Sequence, residues 1–252
     1  RNAPTTVGDV TTTLGATVFI NHGLVGVGRL SASDTDSFGE SFGSVSSLQI
    51  TDWTNLGTGS YAGTFNILPD RGYNSGAFFA DYAARIQQVP FVFTPYTGAG
   101  GIGGSTVPER MAAQNQIVFT GGTSTGVRFT YLDPSSGSLS LTTGLEPNTG
   151  STPLFGKTVP YVKSYTGLDQ PGGTSRTYTG INKLALDSEA LIVKADGSGY
   201  VGDEYGPYIY YFNASKQIIG VHSLSNETPT LFAKFFTFRG GEKYSDWTFL
   251  AD

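Results

Sequence analysis

The residues best suited to chemistry in this chain are carboxylates. Asp187 and Glu189 form a D-x-E pair, and Asp203 and Glu204 stand side by side in the stretch VGDEYGPYIY, Val201 to Tyr210. Residues two apart on a strand share a face, so Asp187 and Glu189 are expected to project together. A tight hairpin between the pairs sets the start of one strand beside the end of the next, which predicts all four acids at one sheet edge. Clustered carboxylates repel unless a proton or a cation offsets the charge, and a donor set made only of oxygens suits Ca²⁺ or Mg²⁺. A second polar cluster is Asp70-Arg71-Gly72, followed by Asn74. There Arg71 has the fork geometry to grip a phosphate or carboxylate. The alternative is structural: the acids cap turns and pair with Lys or Arg, and Arg71 is pinned by Asp70 or by one of the other acids.

Other chemistries are poorly supplied. The chain has no Cys and only two His, His22 and His222. That removes thiolate catalysis, disulfides, and Cys-based or His-rich metal sites, and nothing ties either His to a serine nucleophile. The stretches Gly197 to Gly202 and Gly98 to Gly103 spell G-x-G-x-x-G, and Gly122 to Gly126 spells G-x-S-x-G. None is followed by the helix that would make it a dinucleotide site or a nucleophile elbow, so all three read as turns.

The elements that must position the acids read as strands. The 252 residues include 35 Gly, 14 Tyr and 17 Phe, with only 14% charged residues. This mixture favours an all-β fold, and one domain spanning 1–252 is expected. Four apolar runs, Ala190 to Ala195, Gly199 to Asp203, Tyr208 to Asn213 and Gln217 to His222, are separated by short turn signals such as Asp196-Gly197. They predict an antiparallel four-stranded meander, the unit from which a β-propeller blade is made. Blurrier runs occur at Gln116 to Thr120, Val127 to Leu132 and Ser138 to Leu141. One helix is predicted over Phe78 to Val89, where Phe78, Tyr82, Ile86 and Val89 fall on one helical face before Pro90. The Gly-rich run Thr97 to Ser105 reads as a loop.

The formal net charge is -5, with no Lys/Arg run, which argues against nucleic acid as a partner. No apolar run approaches the roughly 20 residues of a membrane-spanning helix. The sequons Asn213-Ala214-Ser215 and Asn226-Glu227-Thr228 would accept glycans on a secreted protein, and a chain beginning at Arg1 suits removal of a signal segment.

Together these stretches carry a resemblance. LPDRGYN (Leu68 to Asn74), DYAARIQQVPFVFTP (Asp81 to Pro95), QNQIVFT (Gln114 to Thr120), LALDSEALIV (Leu184 to Val193) and VGDEYGPYIYYF (Val201 to Phe212) resemble the phytase-like family, secreted proteins described as having the esterase-like activity of phytase. VGVGRL and FGESFGSVSSL (Phe38 to Leu48) are similar to its N-terminal region. The resemblance implies a β-propeller-like fold and phosphoester hydrolysis carried by Asp and Glu. Its catalytic residues would be Asp187, Glu189, Asp203, Glu204 and Arg71, with Asp70 joining the four acids as a Ca²⁺ ligand. Two departures stand out: Ala190 replaces the family's usual Gly, and residues 231–252 match nothing in it. A propeller left open there exposes a strand edge, which calls for self-association or a partner fragment. The expected substrate is a small phosphorylated molecule. The alternative function is binding of a glycan, a cell-wall component or a protein, without catalysis, through Tyr205, Tyr208, Tyr210 and Tyr211.

Overall fold

A computed structural model describes residues 10–21, 25–31, 34–71, 81–95, 116–121, 124–147, 150–168 and 174–223. Every regular element among them is a β-strand, and all strand pairings but one are antiparallel. The predicted loop at Thr97 to Ser105 and the sequon at Asn226 lie outside the described residues. The chain gathers into two compact units, one formed by residues 1–72 and 85–128 and the other by 73–84 and 129–252.

The first unit is built on a sheet in the order β3 (Val45–Asn55), β4 (Tyr61–Pro69), β5 (Arg85–Phe93), β6 (Ile117–Phe119), with β7 (Thr125–Arg128) also paired to β5. A separate hairpin joins β1 (Val10–Leu14) and β2 (Thr17–Asn21). Strand β5 overturns the predicted helix: Arg85 to Val89 are extended, and residues 81–84 form no helix. Phe78 to Ala80 lie outside the described residues. The helical spacing of apolar residues misled because the strand buries two polar ones. Arg85 and Gln87, both wholly buried, share a face with Val89 and Phe91. Pro90 sits inside the strand without orphaning a hydrogen bond. Strand β7 pairs with residues 85–88 and β6 with 91–93, so Pro90 falls in the gap between them. Its carbonyl still accepts the Thr120 N–H at 2.9 Å.

Asp36 makes burial of Arg85 and Gln87 tolerable. Its carboxylate accepts hydrogen bonds from Arg85 Nη1 at 2.6 Å and Gln87 Nε2 at 2.7 Å, and from the backbone N–H groups of Phe38 (2.8 Å) and Glu40 (3.0 Å). Glu40 pairs with the other guanidinium nitrogen. Ser124 closes the knot by donating to Gln87 Oε1 at 2.6 Å, and Phe38 lies under the Arg128 guanidinium. Burial opposes ionisation of Asp36, but the donors from Gln87, Arg85, Glu40 and Phe38 outweigh it and hold the carboxyl below its ordinary range.

The described residues of the second unit form two sheets. One is a three-stranded sheet of β10 (Ser151–Leu154), β11 (Lys157–Leu168) and β12 (Ser175–Leu184). The other contains the predicted meander: β13 (Ser188–Val193), β14 (Gly199–Asp203), β15 (Tyr208–Phe212) and β16 (Gln217–Ser223), in sequential order. It continues through a parallel pairing of β16 with β8 (Thr130–Leu132), and then β9 (Leu139–Leu141). The run expected at Val127 to Leu132 is therefore two strands, β7 and β8, parted at the wholly buried Phe129. Turn chemistry holds the meander in register. Asp196 Oδ1 accepts the Ser198 N–H (2.9 Å) ahead of β14, and Gly197 takes a φ of 80° that suits glycine. Asn213 Oδ1 accepts the N–H groups of Ser215 and Gln217, each at 3.0 Å, between β15 and β16. The core face carries Leu191, Val201, Tyr210, Phe212 and Ile218, all buried.

Replacing Arg85 with Met would leave Asp36 buried without its cation, which typically costs about 3–5 kcal/mol. The expected result is a large fall in the urea midpoint of the first unit; an unchanged midpoint would refute this role. Because Asp36 ionises more readily folded than unfolded, its contribution is present above its unfolded value of 3.8 and lost as pH falls further.

Candidate functional site

The acidic edge forms where β13 begins and β14 ends. Ser188 pairs with Asp203, and the next pair is Ala190 with Gly202, so Glu189 is the extra residue of a β-bulge. That bulge re-aims Glu189 out to solvent, while Asp187, one residue before the strand, is buried. Carboxylate oxygens of Asp187 and Glu189 nevertheless come within 4.8 Å of each other. Ca²⁺ takes oxygens at about 2.3–2.6 Å, so two ligands of one ion stand at most about 5 Å apart, a limit this pair meets.

Asp203 occupies a different environment. Positions 199, 201 and 203 share a face of β14, and Val201 is wholly buried, so Asp203 is turned toward the core. Its Oδ1 accepts the backbone N–H of Asp187 at 3.0 Å and that of Tyr205 at 3.1 Å, while Oδ2 lies 3.5 Å from the Tyr210 hydroxyl. Burial pushes its pKa up to about 7, and the nearby Asp187 charge adds to the rise; the donated hydrogen bonds oppose it without prevailing. Asp203 is thus an anchor that ties the segment before β13 to the turn after β14.

The Glu204 N–H completes that tie by donating to the Asp187 carbonyl at 2.8 Å, and the Glu204 side chain is exposed. The turn is fixed further along by Tyr205. Its hydroxyl donates to the Gly144 carbonyl at 2.5 Å, and its ring packs against the buried cluster of Leu145, Val162, Tyr165 and Ala185. Of the tyrosines expected to form a binding surface, Tyr210 is buried and Tyr208 donates to the Thr158 carbonyl. Tyr211 packs on Tyr200. They are framework more than surface.

Asp70 and Arg71 follow β4 in the first unit. The Asp70 N–H donates to the Ser44 carbonyl at 2.8 Å, and Arg71 is buried. Asn213, half-buried, holds its turn through its own side chain. Two features escaped the sequence reading: the Asp36–Arg85 knot, and the service of Tyr205 as an anchor instead of a contact. Scarcity of charge was the available signal for the first, since each charged group in a chain with only 14% charged residues needs a reason.

One comparison finds a relative. A protein of Arthroderma benhamiae described as an "Uncharacterized secreted protein" is 28% identical over 212 residues, covering 82% of this chain and 38% of the relative. The protein is secreted. The chain spans well under half the length of that relative. No family model matches the chain, and no solved structure does. Among the described residues no helix is long and apolar enough to cross a membrane.

The elevated Asp203 value has a definite sign. A carboxyl that binds its proton more tightly folded than unfolded adds stability below its unfolded value of 3.8, and that stability is lost as pH rises through about 7. Asp203→Asn keeps an oxygen for the two N–H donors and removes the titration. Melting temperatures between pH 4 and 8 should therefore fall less steeply for the variant; identical slopes would rule out Asp203 as the source.

Proposed function

We propose that the protein is a secreted, cation-assisted phosphoester hydrolase of the phytase-like kind, with β13–β16 as one blade of a propeller-like fold. The observation that carries this reading is the approach of Asp187 and Glu189 to within 4.8 Å at an edge where Asp203 and Glu204 also stand. The sequential four-stranded order of the meander and the motif resemblance support it. Asp187 and Glu189 would hold Ca²⁺, an ion that when bound neutralises phosphate charge and makes water a better nucleophile. Asp203 keeps Asp187 in place through its backbone N–H, and Glu204, exposed on the turn so anchored, is the carboxylate open to water for proton transfer.

A second reading is a structural ion without catalysis. It is favoured by the engagement of Asp203 Oδ1 with two backbone N–H groups, which is how a turn is stabilised.

Phosphate release from phytate and from a simple phosphomonoester, with and without Ca²⁺, separates the two. Hydrolysis should depend on Ca²⁺ and fall about 100-fold or more in Asp187→Asn and Glu189→Gln. No release under any condition would end the hydrolase reading. A Ca²⁺-dependent rise in melting temperature without hydrolysis would establish the structural ion.

A further inference from the structure

The turn between β15 and β16 is built around one side-chain amide. Asn213 opens it: its carbonyl accepts the Lys216 N–H at 2.8 Å, and its own N–H donates to the Gln217 carbonyl at 2.9 Å. This is a type I turn closed by one residue in the left-handed region, and that residue is Lys216, with a φ of 63° where glycine is usual. Two sets of bonds hold the conformation. The Lys216 ammonium donates to the carbonyls of Gly197 and Ala214, and Asn213 Oδ1 accepts the N–H groups of Ser215 and Gln217.

Two N–H donors converging on one atom identify it as the amide oxygen, so the nitrogen is the other end of the group. Among the described residues Nδ2 donates no hydrogen bond. The oxygen holds the fold, and the nitrogen is left for other use. Asn213-Ala214-Ser215 spells an N-glycosylation sequon, with Ala214 and Ser215 exposed. Replacing one Nδ2 hydrogen by a sugar leaves the amide carbonyl intact, so both accepted bonds, and the turn, survive the change. We propose that Asn213 of this secreted protein carries an N-linked glycan. In the transfer, Nδ2 bonds to the anomeric carbon of a lipid-diphosphate oligosaccharide. The bond from that carbon to the diphosphate oxygen breaks, the lipid diphosphate leaves, and the nitrogen gives up one of its two protons. Transfer acts on the nascent chain, so the half-burial of Asn213 in the finished turn does not obstruct it. The acidic turn lies at the other end of β15, five residues and so roughly 17 Å away, which roots the glycan apart from the carboxylates.

Ser215 separates a glycan acceptor from an asparagine that only holds a turn. The turn needs the Ser215 backbone N–H, whereas transfer needs its hydroxyl. The full chain is secreted from a eukaryotic host, and occupancy is read by peptide mass mapping after enzymatic release of N-glycans in heavy-oxygen water, which labels each site that carried one. Wild type, Ser215→Ala, Ser215→Thr and Asn226→Gln are compared, the last so that the second sequon cannot supply the signal. The expected result is a label at Asn213 in wild type, Ser215→Thr and Asn226→Gln, and its loss in Ser215→Ala. Wild type and Ser215→Ala made without glycans in a bacterial host should melt together, so that loss of the label reports the hydroxyl and not the turn. The proposal is overturned by an unlabelled Asn213 in the wild type, by a label confined to Asn226, or by a label at Asn213 that survives Ser215→Ala. Phosphate release should be equal in wild type and Ser215→Ala, so failure here is distinct from failure of the hydrolase reading.

Discussion

A carboxylate removed from water must be met by donors, and this chain organises its turns around that demand. Asp36 gathers Arg85, Gln87 and two backbone N–H groups, and so fastens the segment before β3 onto the middle strand of its sheet. Asp203 gathers the N–H groups of Asp187 and Tyr205, and so joins the start of β13 to the end of β14. Asp133, also buried, takes the N–H and hydroxyl of Ser135 and the hydroxyl of Ser136 at the β8–β9 turn. Where donors are numerous, as at Asp36 and Asp133, the carboxyl stays ionised below its ordinary range despite burial. Where they are outweighed, as at Asp203, it does not.

The meander was legible because local rules agree with one another. Asp196-Gly197 and Asn213-Ala214-Ser215 are turn sequences by composition, and the runs they separate are short, apolar and rich in β-branched and aromatic residues, as strands are. Strand β5 was illegible for the opposite reason. Its buried face holds Arg85 and Gln87, whose partner lies 49 and 51 residues earlier in the chain, at Asp36. No local pattern reports such a long-range tie, and without it polar residues at those positions look like the wet side of a helix. The candidate acids were found by type and spacing. Their division of labour was not, because the bulge at Glu189 and the inward turn of Asp203 are products of pairing with β14.

Two features of the structure rest on different physics. At the acidic edge, strand pairing sets carboxylates close together, and their mutual repulsion is what makes a cation welcome. At Trp53 an aromatic stack with Tyr61 is held half-exposed by a bulge in which Asp52 takes a φ of 57°.

Burial of cations has a further consequence outside the cell, where a protein meets proteases that cut after Lys and Arg. The chain has 15 such residues, and Arg71, Arg85 and Lys216 are buried. Lys216 is held at the β15–β16 turn, its ammonium donating to the carbonyls of Gly197 and Ala214 beside the Phe212 ring. Cleavage at these bonds would require the strands around them to open first, so resistance to digestion follows the stability of the sheets and not the abundance of target residues.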